Sequence, residues 1–566
     1  KYPMMMDGVL EAVMKGLADF DDDVRAVSAA TLVPIAEEFV TSRAGTLGTL
    51  MNIVWECLSN LQDDLSASTG SVMDLLAKLC TFTQVLDAMK ANAADDPEAS
   101  FGHLVPRLYP FLRHTITSVR SAVLRALMTF LKLEGEGSTD WVDGKALRLI
   151  FQNLLVERNE GALKLSLQVW SELLKAIELR GSFAQASELS SSVEPLVTLT
   201  LGPFGVPRYP IPMNASLFIK PSGVAFSLAA PPAGKPSSPT TTTPGGTEAK
   251  AGRRRKSEKK ELPPPSAHNV DGHMLSGDID LVGADTMLRS KIYAAKALGE
   301  LLSFWDKHEL PSLWPAILDG FTHPASTSQL ASAMVMEEYA QIAGPESKYS
   351  TSLCDRLRPI IEGERPSWYS DISCYLHVAR AQCHSLLNTF RDHAHVAPSR
   401  LPTLAVVVQG DPEAGPNAFS LTDAEKIIGS DFDRLKKNLT PAQRITATQV
   451  LTDTRTTAQY AVDEARAMRE QRDLRVLAAA AGALVAMRDI PKKPGHIIKS
   501  MMDSVKKEEN VELQQRSATA IASLIEHYTA ATKRGPVDKI IGNLVKYCCV
   551  DTSETPEFPH NAQLEK

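Results

Sequence analysis

At 566 residues the chain is far past the roughly 250–300 at which one hydrophobic core stops growing, so it is several domains or one elongated array. Its 44% hydrophobic and 22% charged residues are ordinary for a soluble globular protein, and a 6% aromatic share with abundant Leu, Ala and Val favours helices packed on helices. A formal charge of -7 and a pI near 6.1 argue against a DNA-gripping surface, which needs neutralised phosphates, and suit a basic protein partner better.

In chain order, Lys1-Tyr2-Pro3 carries no initiator Met and no signal-peptide pattern, and the first residues read as the inside of a helical repeat; a fragment of a longer protein is expected. Asp21, Asp22 and Asp23 precede Val24-Arg25 and the small residues Ala29 and Ala30, the pattern of an Asp-capped helix. Asp63 and Asp64 crowd the next such turn, and residues 87–101, rich in Ala, Asp and Asn, read as a loop. Residues 104–112 form a first helix containing Pro106 and Pro110, followed by Val119-Arg120 with Ala122 and Ala126. Val24 and Val119 stand 95 positions apart, which fits two repeats with an insertion.

Residues 202–285 hold Pro203, Pro207, Pro210 and Pro212, a Thr-Pro-Gly-rich stretch and the basic run Arg253, Arg254, Arg255, Lys256, Lys259 and Lys260; this composition reads as a disordered linker. The basic run is a candidate nuclear-import signal or a solvated loop. A weaker repeat runs from His323 to Ala340, residues 394–420 read as a Pro- and Gly-rich hinge, and Thr422 with Glu425 forms a capping box opening a new helix. Residues 435–475 read as long polar surface helices, and the apolar run Val476–Met487 as a tightly packed core helix too short to span a bilayer. The last repeat carries Asn510, Leu513 and Arg516. The expected division is therefore 1–201 and 286–393 as repeat blocks around the linker, 394–475 as hinge and polar helices, and 476–566 as a C-terminal repeat-like block.

Each repeat is a helix hairpin that buries its apolar face only by stacking on its neighbours. The Asp or Asn before the second helix caps it, and the Arg reaches a carboxylate or carbonyl across the turn. With Val24, Arg25, Val119, Arg120 and Arg516 as signature positions, the fold class is all-α, an armadillo-like HEAT-repeat α-solenoid with disordered insertions.

No phosphate-cradling Gly-rich motif, nucleophile elbow or zinc-protease helix motif occurs, so no catalytic or cofactor-binding residue is assigned. Cys374, His377, Cys383 and His384 lack convergent metal-ligand spacing and are read as buried thiols and partly exposed histidines. The seven cysteines are odd in number and follow no disulfide spacing, pointing to a reducing compartment. The acidic turns Asp21, Asp22, Asp23, Asp63 and Asp64 admit two readings, helix capping or a ladder facing a basic partner.

Residues 21–34, 63–69, 104–120, 169–174, 284–287, 497–510 and 539–551 resemble the SWI/SNF-type ATPase family associated with TATA-binding protein, whose members remove that protein from DNA. The likeness covers its HEAT-repeat and central region. It implies a nuclear scaffold segment whose acidic turns grip the basic convex side of TATA-binding protein, reaching promoter DNA only indirectly, with no membrane and no small-molecule substrate. The family's motor, with its ATP and Mg, has no counterpart in these residues, and its earliest repeats and latch-like element are expected upstream of Lys1. The rival reading is a HEAT scaffold of another class, such as a nuclear transport receptor or phosphatase scaffold.

Overall fold

A computed structural model of the chain describes residues 3–59, 68–135, 137–181, 186–204, 273–274, 277, 279–308, 310–363, 369–408, 418–531 and 534–548. Asp63, Asp64, the basic run 253–260 and most of the expected linker lie outside them. Among the described residues every regular element is helical, and the one β-type contact is an isolated bridge between Val406 and Ala418. The chain is all-α, as expected. It divides into two compact units, Lys1–Pro195 with Phe204–Ser290, and Leu196–Pro203 with Lys291–Lys566.

In the first unit the helices are α1 (Pro3–Leu17), α2 (Asp22–Leu32), α3 (Ala36–Ser42), α4 (Leu47–Ser59), α5 (Ser68–Leu79), α6 (Thr83–Asp95), α7 (Phe101–Leu104), α8 (Thr117–Leu131), α9 (Gly144–Val156) and α10 (Glu160–Leu179), with α11 (Ala186–Leu201) beginning there. The second helices of successive hairpins form one row, α2 on α5, α5 on α8 and α8 on α10. Close approach needs small residues: a Cβ on Gly16 of α1 would stand 2.1 Å from the Ser28 hydroxyl of α2. Phe151 meets Trp170 edge-on at 5.3 Å, and each such fully buried aromatic contributes about 1.5–3 kcal/mol. The loop expected at 87–101 is helical as far as Asp95. Ala is the best helix former, Val85 and Met89 bury one face, and the Asn92 amide reaches the Gly48 carbonyl and Asn52 on α4.

The hairpin turns share a construction. At five of the described caps a side chain two residues earlier accepts the cap's own N–H: Asp19 for Asp21 (2.8 Å), His114 for Ile116 (3.1 Å), Glu157 for Asn159 (2.8 Å) and, in the second unit, His323 for Ala325 (3.1 Å) and Glu508 for Asn510 (2.9 Å). Four residues after the cap, Arg25 donates to the Asp19 carbonyl (2.7 Å) and Arg120 to that of His114 (2.8 Å). Gln329 takes the same position and donates to the His323 carbonyl at 2.9 Å. Arg120 also grips Glu157 of the following turn in a fork, Nε to Oε2 at 2.8 Å and Nη2 to Oε1 at 3.0 Å, with Glu157 almost wholly buried. Val119 is fully buried, whereas Val24 keeps 41% of its surface exposed.

In the second unit, α12 (Ala284–Trp305, belonging to this unit from Lys291 on), α13 (Trp314–Asp319), α14 (Ser326–Ala343), α15 (Ser350–Glu362) and α16 (Ser373–Asp392) lead to α17. That helix comprises Leu421–Lys426, a π turn at Ile427–Asp431 and Phe432–Lys437. Its capping box pairs Ser420 with Asp423, two residues before the expected Thr422 and Glu425, because Phe419 and Leu421 are both buried and fix the register. After a 3-10 turn at Pro398–Arg400 the chain runs without a helix to residue 408, with Arg380 donating to the Ala405 carbonyl at 2.5 Å. Next, α18 (Pro441–Ala486) is one helix of 46 residues, capped by Thr440 and Gln443, and it runs through position 475 without a break. Its polar half buries a narrow stripe, Ala447, Leu451, Ala458, Val462 and Ala465, against α16. Finally α19 (Gly495–Lys507), α20 (Val511–Ala530) and α21 (Arg534–Cys548) close the unit.

Arg475 of α18 forks onto the fully buried Glu508 at 2.8 and 3.0 Å, as Arg120 does onto Glu157. Arg516 does a different job from the other signature arginines: it crosses from α20 to Glu337 and Glu338 of α14. Gly482 of α18 makes room, since a Cβ there would stand 2.3 Å from Glu337 Oε1. Replacing Arg516 with Met should leave Glu337 buried without its counter-charge, at a cost of about 3–5 kcal/mol in urea unfolding; an unmoved midpoint would show that the pair contributes nothing.

Burial opposes ionisation of Glu157 most strongly, yet the hydrogen bond and charge of Arg120, then the charge of Arg113 and the Asn159 N–H, together hold its pKa below the ordinary 4.5. A carboxylate depressed in this way contributes stability that is present above the ordinary value and lost as pH falls through the lowered one. Glu157→Gln should therefore be less stable at pH 7 and show a shallower loss of stability on acidification below about pH 5. Parallel stability–pH curves for the two chains would contradict this.

Candidate functional site

The turn from Asp19 to Arg25 is the candidate partner-binding element that the described residues contain. Its backbone is fixed from both sides. Asp21 caps α2 through the N–H groups of Asp23 (2.9 Å) and Val24 (3.2 Å), and Arg25 clamps the carbonyls of Asp19 and Phe20 at 2.7 and 2.9 Å. Asp22 binds Arg25 at 3.0 Å through Oδ1 and accepts the Ser68 N–H of α5 at 3.3 Å through Oδ2. Asp21 and Asp22 thus hold the turn and tie it to the next hairpin. Asp23 is exposed, and among the described residues its side chain makes no hydrogen bond or ion pair.

Between the carboxylates stands Phe20, 100% exposed. Val24 and Val27 add apolar surface on the first turns of α2. A rigid turn therefore presents an aromatic ring flanked by Asp19, Asp21 and Asp23, with one guanidinium, Arg25, largely covered beneath. Such a surface suits a partner that offers an apolar recess rimmed by Lys or Arg. Phe20 is absent from the sequence-derived set. Its signal is an aromatic residue between two Asp where the helical period has stopped, in a chain with few aromatics to spare.

The remaining sequence-derived positions are brought to other uses. Arg120, Val119 and Arg516 serve packing and the clasps described above. Asp96 caps a 3-10 turn by accepting the Glu98 N–H at 3.0 Å. Cys374 is exposed while Cys383 lies in the core, where burial pushes its thiol up to about 12 and keeps it protonated at neutral pH. Asp63, Asp64 and Arg253, Arg254, Arg255, Lys256, Lys259 and Lys260 fall outside the described residues.

The sequence profile of a family described as a domain of unknown function, DUF3535, matches residues 169–566. The chain is 79% identical to TATA-binding protein-associated factor mot1 of Aspergillus fumigatus, over 100% of this chain and 30% of that protein. It is 33% identical to TATA-binding protein-associated factor MOT1 of Saccharomyces cerevisiae, over 99% and 30%. To TATA-binding protein-associated factor 172 of Homo sapiens it is 27% identical, over 98% and 28%. The chain spans about 30% of the length of the fungal relatives. It belongs to the DUF3535 family and aligns throughout with TATA-binding protein-associated factors.

Proposed function

We propose that this chain is the protein-binding scaffold segment of a nuclear transcription regulator that engages TATA-binding protein. The segment couples it to a DNA-translocating ATPase motor outside these residues, and the whole removes TATA-binding protein from promoter DNA. The observation that carries the reading is the alignment of the entire chain with proteins named as TATA-binding protein-associated factors, from 79% identity down to 27%. The helical repeats supply the grip and the lever; ATP and Mg act elsewhere in the full protein, and the segment itself is not an enzyme. The basic run 253–260 serves nuclear import.

The turn at Asp19–Arg25 supports a direct contact, because its acidic and aromatic groups match a basic surface and its backbone is already fixed. Reversing all of Asp21, Asp22 and Asp23 would also remove a cap and a tie to α5, so the informative variant is Phe20→Ala with Asp23→Lys. Its thermal melt should be unchanged, while affinity for TATA-binding protein in low salt should fall at least about tenfold, with a weaker salt dependence. Unchanged affinity at both low and high salt would remove this turn from the interface.

A further inference from the structure

An overall charge of -7 conceals a local excess of positive charge in the second unit. The turn from α18 into α19 carries Arg488, Lys492 and Lys493, and His496, Lys499, Lys506 and Lys507 follow on α19; all are exposed. With about 100° between successive residues, the basic side chains of α19 fall within one arc, opposite the buried Ile497, Met501 and Ser504, and span about 16 Å of helix. Asp503 is the one carboxylate within α19, and Asp489 of the turn is already held by Arg358 in a fork at 2.6 and 2.7 Å.

Two observations show that the fold does not use this charge. Among the described residues, the side chains of Arg488, Lys492, Lys493, Lys499 and Lys507 make no hydrogen bond or ion pair, while Lys506 lies over the Tyr547 ring at 5.5 Å. Arg488 also stands at φ 55°, the left-handed region where a helix end ordinarily places Gly. The strain of a Cβ there is offset by no contact of its guanidinium within the chain. The start of α19 adds to the same potential, since it has no capping side chain and no acidic residue in its first turn.

The chemistry of the patch selects its partner. From 488 to 507 no large apolar side chain is exposed, so the apolar anchor that dominates a protein–protein interface is missing. The same segment has no Phe, Tyr or Trp to stack on unpaired bases. Neutralised phosphates alone suffice for sequence-independent binding of a duplex. We propose that the α18–α19 turn and the exposed face of α19 form a contact surface for the phosphate backbone of double-stranded DNA. Arg488 and the lysines pair with phosphates and position the duplex without reading its sequence. This goes beyond the engagement of TATA-binding protein, because it gives the segment a DNA contact of its own.

The test is fluorescence anisotropy of a labelled duplex of about 30 base pairs without a TATA element, titrated with the 566-residue chain. In that chain Arg253, Arg254, Arg255, Lys256, Lys259 and Lys260 are replaced by Gln, which removes the other basic run. No TATA-binding protein is present, so this proposal and the assignment of that partner can fail separately. Saturable binding is expected, with a Kd of about 1–100 μM near physiological salt. Lys492→Gln, Lys493→Gln and Lys499→Gln together should weaken it at least about tenfold and lower the slope of log K against log salt by about 2–3. Their thermal melt should be unchanged, since these side chains are exposed and unpaired. Arg488→Gly should weaken binding about threefold or more while raising the thermal midpoint, two effects that a purely structural arginine would not combine. No saturable binding, an affinity or salt slope unchanged in the Lys variant, or unchanged affinity in Arg488→Gly would each overturn the proposal. So would competition by poly-glutamate or by single-stranded DNA as strong as that by unlabelled duplex.

Discussion

A guanidinium forked onto a buried carboxylate joins one turn to the next, and the packing around it depends on that contact. Glu157 accepts two N–H groups from Arg120 and the backbone N–H groups of Arg158 and Asn159. A buried carboxylate is tolerated only when its oxygens are satisfied in this way. The same arrangement recurs in the other unit: Asn153, Glu157, Asn159 and Ser166 have counterparts in Ser504, Glu508, Asn510 and Ser517, all 351 positions on. Arg475 takes the place of Arg120. Polar groups that would be costly orphans in a stack of helices thus set the stacking register instead.

This economy decides what remains for a partner. In the turn before α2, two of three consecutive Asp side chains are consumed by the cap and by the tie to α5, leaving Asp23 and Phe20 on a backbone that cannot relax. A pre-formed turn loses little conformational freedom on binding, which lets a few exposed side chains contribute most of the affinity.

Much of the fold was legible because its signals are local. The Asp cap at Asp21, the Val-Arg pairs and the small-residue stripes lie within one helix and one turn, where periodicity and capping speak directly. The reading failed where local composition mimicked a loop, as in α6, whose Asp and Asn residues outweighed two apolar anchors. It placed Gln329 in the weaker repeat without assigning it the work of the signature Arg, which it does with a different side chain. Pairings such as Arg516 with Glu337, 179 residues apart, leave no trace in spacing. Of the candidate site, the acidic character was visible. The division of labour among its carboxylates needed the partner atoms, and the exposure of Phe20 needed the surface.

The central claim, that the arginine of one hairpin holds the turn of the next, is tested most directly by native-state hydrogen exchange in Arg120→Met. The account predicts that the amides of Arg158, Asn159 and Ala162, held by Glu157 and by the Asn159 cap, exchange at least about tenfold faster. Those of Asp23 and Val24, in a turn that Arg120 does not touch, should keep their rates. Unchanged protection across residues 158–162 would show that each turn stands on its own hydrogen bonds and that the clasp is incidental.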